Sequence, residues 1–246
     1  MNIEKEIIEC KIDLLKSPKE IQEALVPIGK LLTEKMVTEC DWDYTTGNLP
    51  TPDFPKPLDI YFELWGLQQD VNEIFENINA IFYELKLIRD DTMAFFKNYD
   101  FDPVIKYKLL TRTFFYEFFR IKENFNFFLS RLKKMGLLQA QDVKEIKSDF
   151  YKEFETAIKV RNDMVHNRYL WPGEGHLHLN LVLNAEAVGR ALIDKESGNI
   201  INKTDLLSDL SCEALKTFML ESLTIKSFFI RFFESVVGVI RNRESF

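Results

Sequence analysis

One short run of this sequence gathers side chains able to hold a phosphate and move a proton. It is Lys159-Val160-Arg161-Asn162-Asp163-Met164-Val165-His166-Asn167. Arginine presents a rigid fork of donors that fits phosphate oxygens. Histidine titrates near neutral pH and serves as acid or base. Asn162 and His166 are four residues apart and share a helix face. Phe150, Phe154, Ala157, Ile158, Arg161 and Val165 follow steps of three and four, so Arg161 falls on or beside a buried stripe. Arg161 and His166 are about 140° apart around a helix, and only the long arginine side chain could reach the imidazole where the helix ends. A plainer role stays open beside this one. Arg161 would lie at the stripe edge with its charge in water, and His166 would cap a helix C-terminus, where a cation is favoured.

The run Arg161-Asn162-Asp163-Met164-Val165-His166 resembles the signature of the HEPN superfamily (higher eukaryotes and prokaryotes nucleotide-binding domains). That signature is an arginine, a polar residue, and a histidine after four to six intervening positions. Here the spacer is Asn162 to Val165. The resemblance implies an all-helical bundle with the motif close to a helix terminus. It also implies a metal-independent ribonuclease whose site is built from two motifs across a dimer. In such a site His166 would act as base or acid, Arg161 would stabilise the charge on phosphorus, and Asn162 would orient the phosphate or the histidine. Attack by the 2′-hydroxyl confines the chemistry to RNA. Family members that are toxins paired with nucleotidyltransferase-type antitoxins carry a tyrosine two residues after the histidine. In this sequence Arg168 stands there, and Tyr169 follows.

The resulting expectation is an endoribonuclease acting on single-stranded RNA, in defence or toxin–antitoxin biology. It would be a homodimer, with RNA and an antitoxin or another protein as partners. The alternative is a non-catalytic HEPN-like helical dimer that binds a protein or a nucleotide. Neither requires a cofactor or a metal. Candidate RNA contacts are Lys159 and Arg168 beside the motif and Arg131, Lys133 and Lys134 in a basic stretch upstream.

Other constellations are weaker. Asp163 and His166 have carboxylate-x-x-His spacing, but a di-iron site needs a second copy and further glutamates. His176 and His178 would share one face of a strand, where exposure is a simpler fate than metal binding. Cys10, Cys40 and Cys212 lack metal-ligand spacing and are too few for a disulfide framework. There is no glycine-rich phosphate loop.

Charge bears on the partner. The chain of 246 residues has a net charge of −7, unevenly spread. Residues 1–102 hold 21 acidic and 10 basic side chains, whereas 103–134 hold eight basic and two acidic ones. A basic segment inside an acidic protein is either an electrostatic footprint for nucleic acid or the solvated edge of a long helix. No basic, then apolar leader opens the sequence and no run suits a membrane span, so we expect a cytoplasmic protein with no membrane partner.

The elements that must position the motif are helices. Apolar residues make up 46% of the chain and Gly and Pro are scarce, which favours an all-α domain over residues 1–246. We expect an HEPN-like bundle of four to five long helices with a small inserted β-hairpin. The periodicity predicts helices over 3–16, from Ser17-Pro18 toward Met36 with a kink at Pro27 and Gly29, over 59–98, from Asp102-Pro103 to Met135 with a stop at Gly136, over 140–166, and from near Ser211 onward. Residues 37–58 hold Pro50, Pro52, Pro55 and Pro57 and predict a proline-rich loop. Residues 168–204 predict the β insertion, from the alternation His176-Leu177-His178-Leu179-Asn180-Leu181 and a glycine turn at Gly198. The run Thr113 to Phe119 is apolar on most sides, which marks a central helix or one with a partner on its second face.

Overall fold

The computed structural model describes residues 10–38, 56–92, 102–166 and 174–244. Their helices are α1 (Lys19–Thr38), α2 (Lys56–Asp90), α3 (Pro103–Lys134), α4 (Ala140–Glu153), α5 (Glu155–His166), α6 (Glu174–Ala187) and α7 (Lys203–Glu244). The long helices α2, α3 and α7 pack pairwise against one another and form the centre. α1 lies on α2, α4 and α5 lie on α3, and α6 lies on α7. The fold is all-α.

α3 begins and ends where its sequence says it should. The Asp102 side chain accepts a hydrogen bond from the Val104 amide at 2.8 Å, and Pro103 occupies the first turn, where no donor is needed. At the other end Gly136 takes a φ of 74°, and the Leu137 and Gly136 amides donate to the Leu132 and Lys133 carbonyls, both at 3.0 Å. This left-handed stop suits glycine because a Cβ would strain it.

The high phenylalanine content has a structural destination. Phe125 meets Phe150, Phe228, Phe229 and Phe232 with centroids 5.0–5.6 Å apart, mostly edge to face. Phe114 stacks on Phe218 at 3.9 Å, and Phe118 meets Phe154 at 5.4 Å. An aromatic layer therefore joins α3, α4 and α7, and such pairs add to what area burial alone supplies.

Several expectations need correction. The alternation at 176–181 belongs to helix α6, not to a strand. Leu179 and Val182 are buried and Leu183 is half-buried, so the packing period is three to four and the alternate leucines 177 and 181 face out. His176 and His178 thus lie on a helix, and the shared strand face expected for them does not exist. The hairpin reduces to one antiparallel bridge, Ile193 with Ile200, and no strand forms among the described residues. Its turn is fixed by Asp194, whose side chain accepts from the Glu196 and Ser197 amides.

α7 begins at Lys203 rather than near Ser211 because Asn202 caps it, accepting from the Thr204 amide at 2.9 Å. The segment 140–166 is two helices meeting at buried Phe154, whose φ of −114° interrupts the regular backbone. Residues 11–18 are not helical, and 3–9 lie outside the described residues. Residues 37–38 and 56–58 of the expected proline-rich loop are helical, and the rest of it lies outside the described residues.

Phe125→Ala should lower stability by about 3–5 kcal/mol, the cost of a large cavity in an aromatic core; chemical denaturation reads it. Burial pushes the Glu221 carboxyl above the usual carboxylate range. A folded-state pKa above the unfolded value means folding disfavours the ionised form, so this residue's contribution is best at low pH and worsens as pH rises through the raised pKa. Glu221→Gln should therefore raise the melting temperature at neutral pH and leave it little changed near pH 4.

Candidate functional site

Helix α5 carries the motif. Phe154 and Ala157 are buried against the bundle, and Arg161 follows four residues after Ala157 on the same stripe. A guanidinium there needs a surface that tolerates charge without water. Phe119 of α3 supplies it, with the Arg161 guanidinium carbon 4.0 Å from the ring centroid. Arg161 is half-buried, and its Nε is sealed from solvent without a hydrogen-bond partner. Its Nη1 donates to the Asn162 side-chain oxygen at 3.1 Å. Among the described residues no carboxylate forms an ion pair with it.

A second cation approaches the same ring. The Lys122 ammonium lies 4.7 Å from the Phe119 centroid and 5.3 Å from that of Tyr151 on α4. α3, α4 and α5 therefore meet in a cluster of two cations and two aromatic rings, with exposed Asn162 at its edge and the Glu123 carboxylate 3.8 Å from the Lys122 ammonium. Such a cluster suits an anion with a flat or apolar neighbour, since rings orient the cations and leave donors for oxygen. From sequence, Phe119 stands out only as part of the apolar run 113–119 and Lys122 only as part of the basic segment 103–134, while Tyr151 does not stand out. The available signal was the position of Phe119 one residue beyond buried Phe118, off the main stripe.

The other sequence candidates scatter. His166 is the last residue of α5, and its side chain and the whole of Arg168 lie outside the described residues. Lys159 is exposed and sits three residues before Asn162, flanking it. Arg131, Lys133 and Lys134 are exposed at the far end of α3, Arg131 about 18 Å along the axis from Phe119 at 1.5 Å per residue.

The charge asymmetry of the sequence is largely consumed inside the molecule. Arg131 pairs with Glu63, Arg120 with Glu73 at 2.6 Å, and Lys106 with Glu84 at 3.5 Å. Each pair joins basic α3 to acidic α2. The order reverses between the helices, as antiparallel packing requires. Arg120 also reaches Glu117 on its own helix at 3.1 Å. Pairs that keep at least one partner partly in water contribute about 0–1 kcal/mol each, so these fix register more than stability. Lys133 and Lys134 remain as exposed positive charge at that end.

Two apolar features lie elsewhere. The run 113–119 packs largely into the core. A groove of about 480 Å³ opens instead between α3, α4 and α7, bounded by Leu132, Ile146, Phe232 and Ile240, with the Glu153–Arg231 pair at its edge. On α3, Ile105, Leu109, Tyr116 and Phe127 are exposed, and their spacing places them within about 40° of one another. Among the described residues no group of three or more His, Cys, Asp or Glu is arranged to hold a metal, and no helix is long and apolar enough to cross a membrane.

The Arg161–Phe119 contact should be measurable. A double-mutant cycle of Phe119→Leu and Arg161→Met should return a coupling of about 0.5–1 kcal/mol, the range of a partly exposed cation–π pair. Zero coupling would mean that the ring does not hold the guanidinium in solution.

Comparison of the chain with protein-family models, with curated proteins and with solved structures finds no match.

Proposed function

We propose that the chain is an HEPN-like, metal-independent endoribonuclease that cleaves single-stranded RNA, acting in defence or toxin–antitoxin biology as a cytoplasmic homodimer. The observation that carries this reading is the Arg161 guanidinium, laid on Phe119 beside Lys122 and bonded to Asn162. A cation so oriented at the helix end that carries His166 is suited to a phosphodiester. In this reading Arg161 holds the phosphate and stabilises charge in the transition state, with Asn162 keeping its fork in place. His166 removes the 2′-hydroxyl proton or protonates the leaving oxygen, and the second copy's histidine performs the complementary step. Lys159 flanks the strand, and Arg168 follows the motif. In this reading Lys133 and Lys134, about 21 Å or more along α3 from Phe119, meet the strand a few nucleotides away. The exposed apolar stripe of α3 supports the dimer, since it gives a second copy something to cover.

A second reading draws on the internal charge pairing. Because α2 neutralises much of α3, little of the basic segment is free for a polyanion, which favours a non-catalytic module that binds another protein, such as an antitoxin.

The two readings separate in one assay. Labelled single-stranded RNA in excess EDTA should be cut and should end in a cyclic phosphate or its hydrolysis product. Arg161→Ala and His166→Ala should each abolish the cut, and Arg161→Lys should restore little because lysine lacks the bidentate fork. RNA left intact by wild-type protein at high concentration, freed of any partner, would overturn the catalytic reading and favour the binding module.

A further inference from the structure

The segment before α1 is held in an unusual way. Residues 11–18 have no secondary structure of their own, yet Ile12 and Leu15 are almost wholly buried. Their backbone is bonded by side chains of α2. Asn79 Oδ1 accepts from the Ile12 amide at 2.7 Å, and Asn79 Nδ2 donates to the Ile12 carbonyl at 2.9 Å. Asn72 repeats the pattern, accepting from the Leu15 amide at 2.7 Å and donating to its carbonyl at 3.3 Å. Gln68 Nε2 donates to the same carbonyl at 2.8 Å, and Ser17 Oγ donates to Gln68 Oε1 at 2.6 Å. Each asparagine thus exchanges both bonds with one residue, as a neighbouring β-strand residue does in a hydrogen-bonded pair.

The spacing of the row fits an extended chain. From Asn79 to Asn72 the helix advances about 10.5 Å, and from Asn72 to Gln68 about 6 Å. Three extended residues, Ile12 to Leu15, cover about 10 Å, and two more to Ser17 cover about 6.6 Å. The two rises keep step along the whole contact. Buried Gln68 and Asn72 would lose their partners if the segment left, which is costly for amides. The ties to α1 are confined to the last two residues: Gln22 Nε2 donates to the Ser17 carbonyl at 3.0 Å, and the Ile21 and Gln22 amides donate to the Pro18 carbonyl. The bonds of Ile12, Leu15 and the Ser17 hydroxyl go to α2 side chains, and none of those needs the segment to be joined to α1.

We infer that the Gln68–Asn72–Asn79 row of α2 is a peptide-binding groove for an extended chain. Its ligand has apolar residues three apart and a serine two residues after the second. Residues 10–17 fill the groove in cis, and the same segment of a second copy fits it in trans. The inference is independent of the ribonuclease reading, since α2 carries none of the motif.

The test uses the full chain. Ile12→Asp with Leu15→Asp ejects the cis segment, and a fluorescein-labelled synthetic peptide of residues 10–18 with Cys10→Ser is the probe. Saturable binding to the double variant is expected, with affinity at least tenfold weaker for a peptide carrying the same two aspartates. Wild-type protein should bind the probe at least tenfold more weakly than the double variant, because its groove is filled. Absence of binding to a folded double variant, or equal binding by wild type, would overturn the inference. Should the double variant not fold, wild-type chain with a protease site inserted between Ser17 and Pro18 serves instead. After cleavage the N-terminal piece should stay bound through gel filtration and be displaced by excess unlabelled peptide; immediate loss of the piece, or failure of the peptide to displace it, would equally overturn the inference.

Discussion

The structure depends on what surrounds α3. This helix is covered by α2 on one side, α7 on another, and α4 and α5 on a third. Each contact uses a different chemistry. Toward α4 and α7 it presents phenylalanines whose rings interlock with Phe150, Phe228, Phe229 and Phe232. Along the edge it shares with α2 it presents Lys106, Arg120 and Arg131 to Glu84, Glu73 and Glu63. Aromatic packing supplies the larger share of stability, because exposed ion pairs supply little, and the charges choose the antiparallel register. The position of Arg161 follows, since Phe118 packs on Phe154 at the joint of α4 and α5 and so brings α5 over Phe119.

Much of this was legible in the amino-acid order where local chemistry and tertiary packing agree. Asp102-Pro103 and Gly136 bound α3 because cap and stop are local devices. The stripe of α2 is equally plain, since Leu67, Val71, Ile74, Ile78 and Ile81 are all buried. Reading failed where a neighbour supplies what the segment lacks. Residues 11–18 look amphipathic, but Pro18 disfavours helix at the residue before it, and α2 amides satisfy the backbone that a helix would have satisfied internally. Leucine alternation in 177–183 mimics a strand, but Leu179 and Val182, three apart, are the buried positions, with half-buried Leu183 beside them.

The candidate site was legible in part. Periodicity put Arg161 on or beside the buried stripe, and the structure has it half-buried there. What sequence could not supply is its support, because Phe119, Lys122 and Tyr151 lie on other helices at separations no local pattern encodes. The basic segment shows the converse. Its charge is evident in the composition, but its pairing with α2 is a tertiary fact that changes what the charge means for a polyanion.

The central claim is that the end of α5 holds a phosphodiester through Arg161. The most direct measurement is NMR of the Arg161 guanidinium and the His166 imidazole, assigned by substitution, during titration in EDTA with a short oligonucleotide. A 2′-deoxy sugar at the scissile position prevents cleavage. The account expects both signals to shift together and saturate at one ligand concentration. An Arg161 signal unmoved while the oligonucleotide binds elsewhere would contradict it.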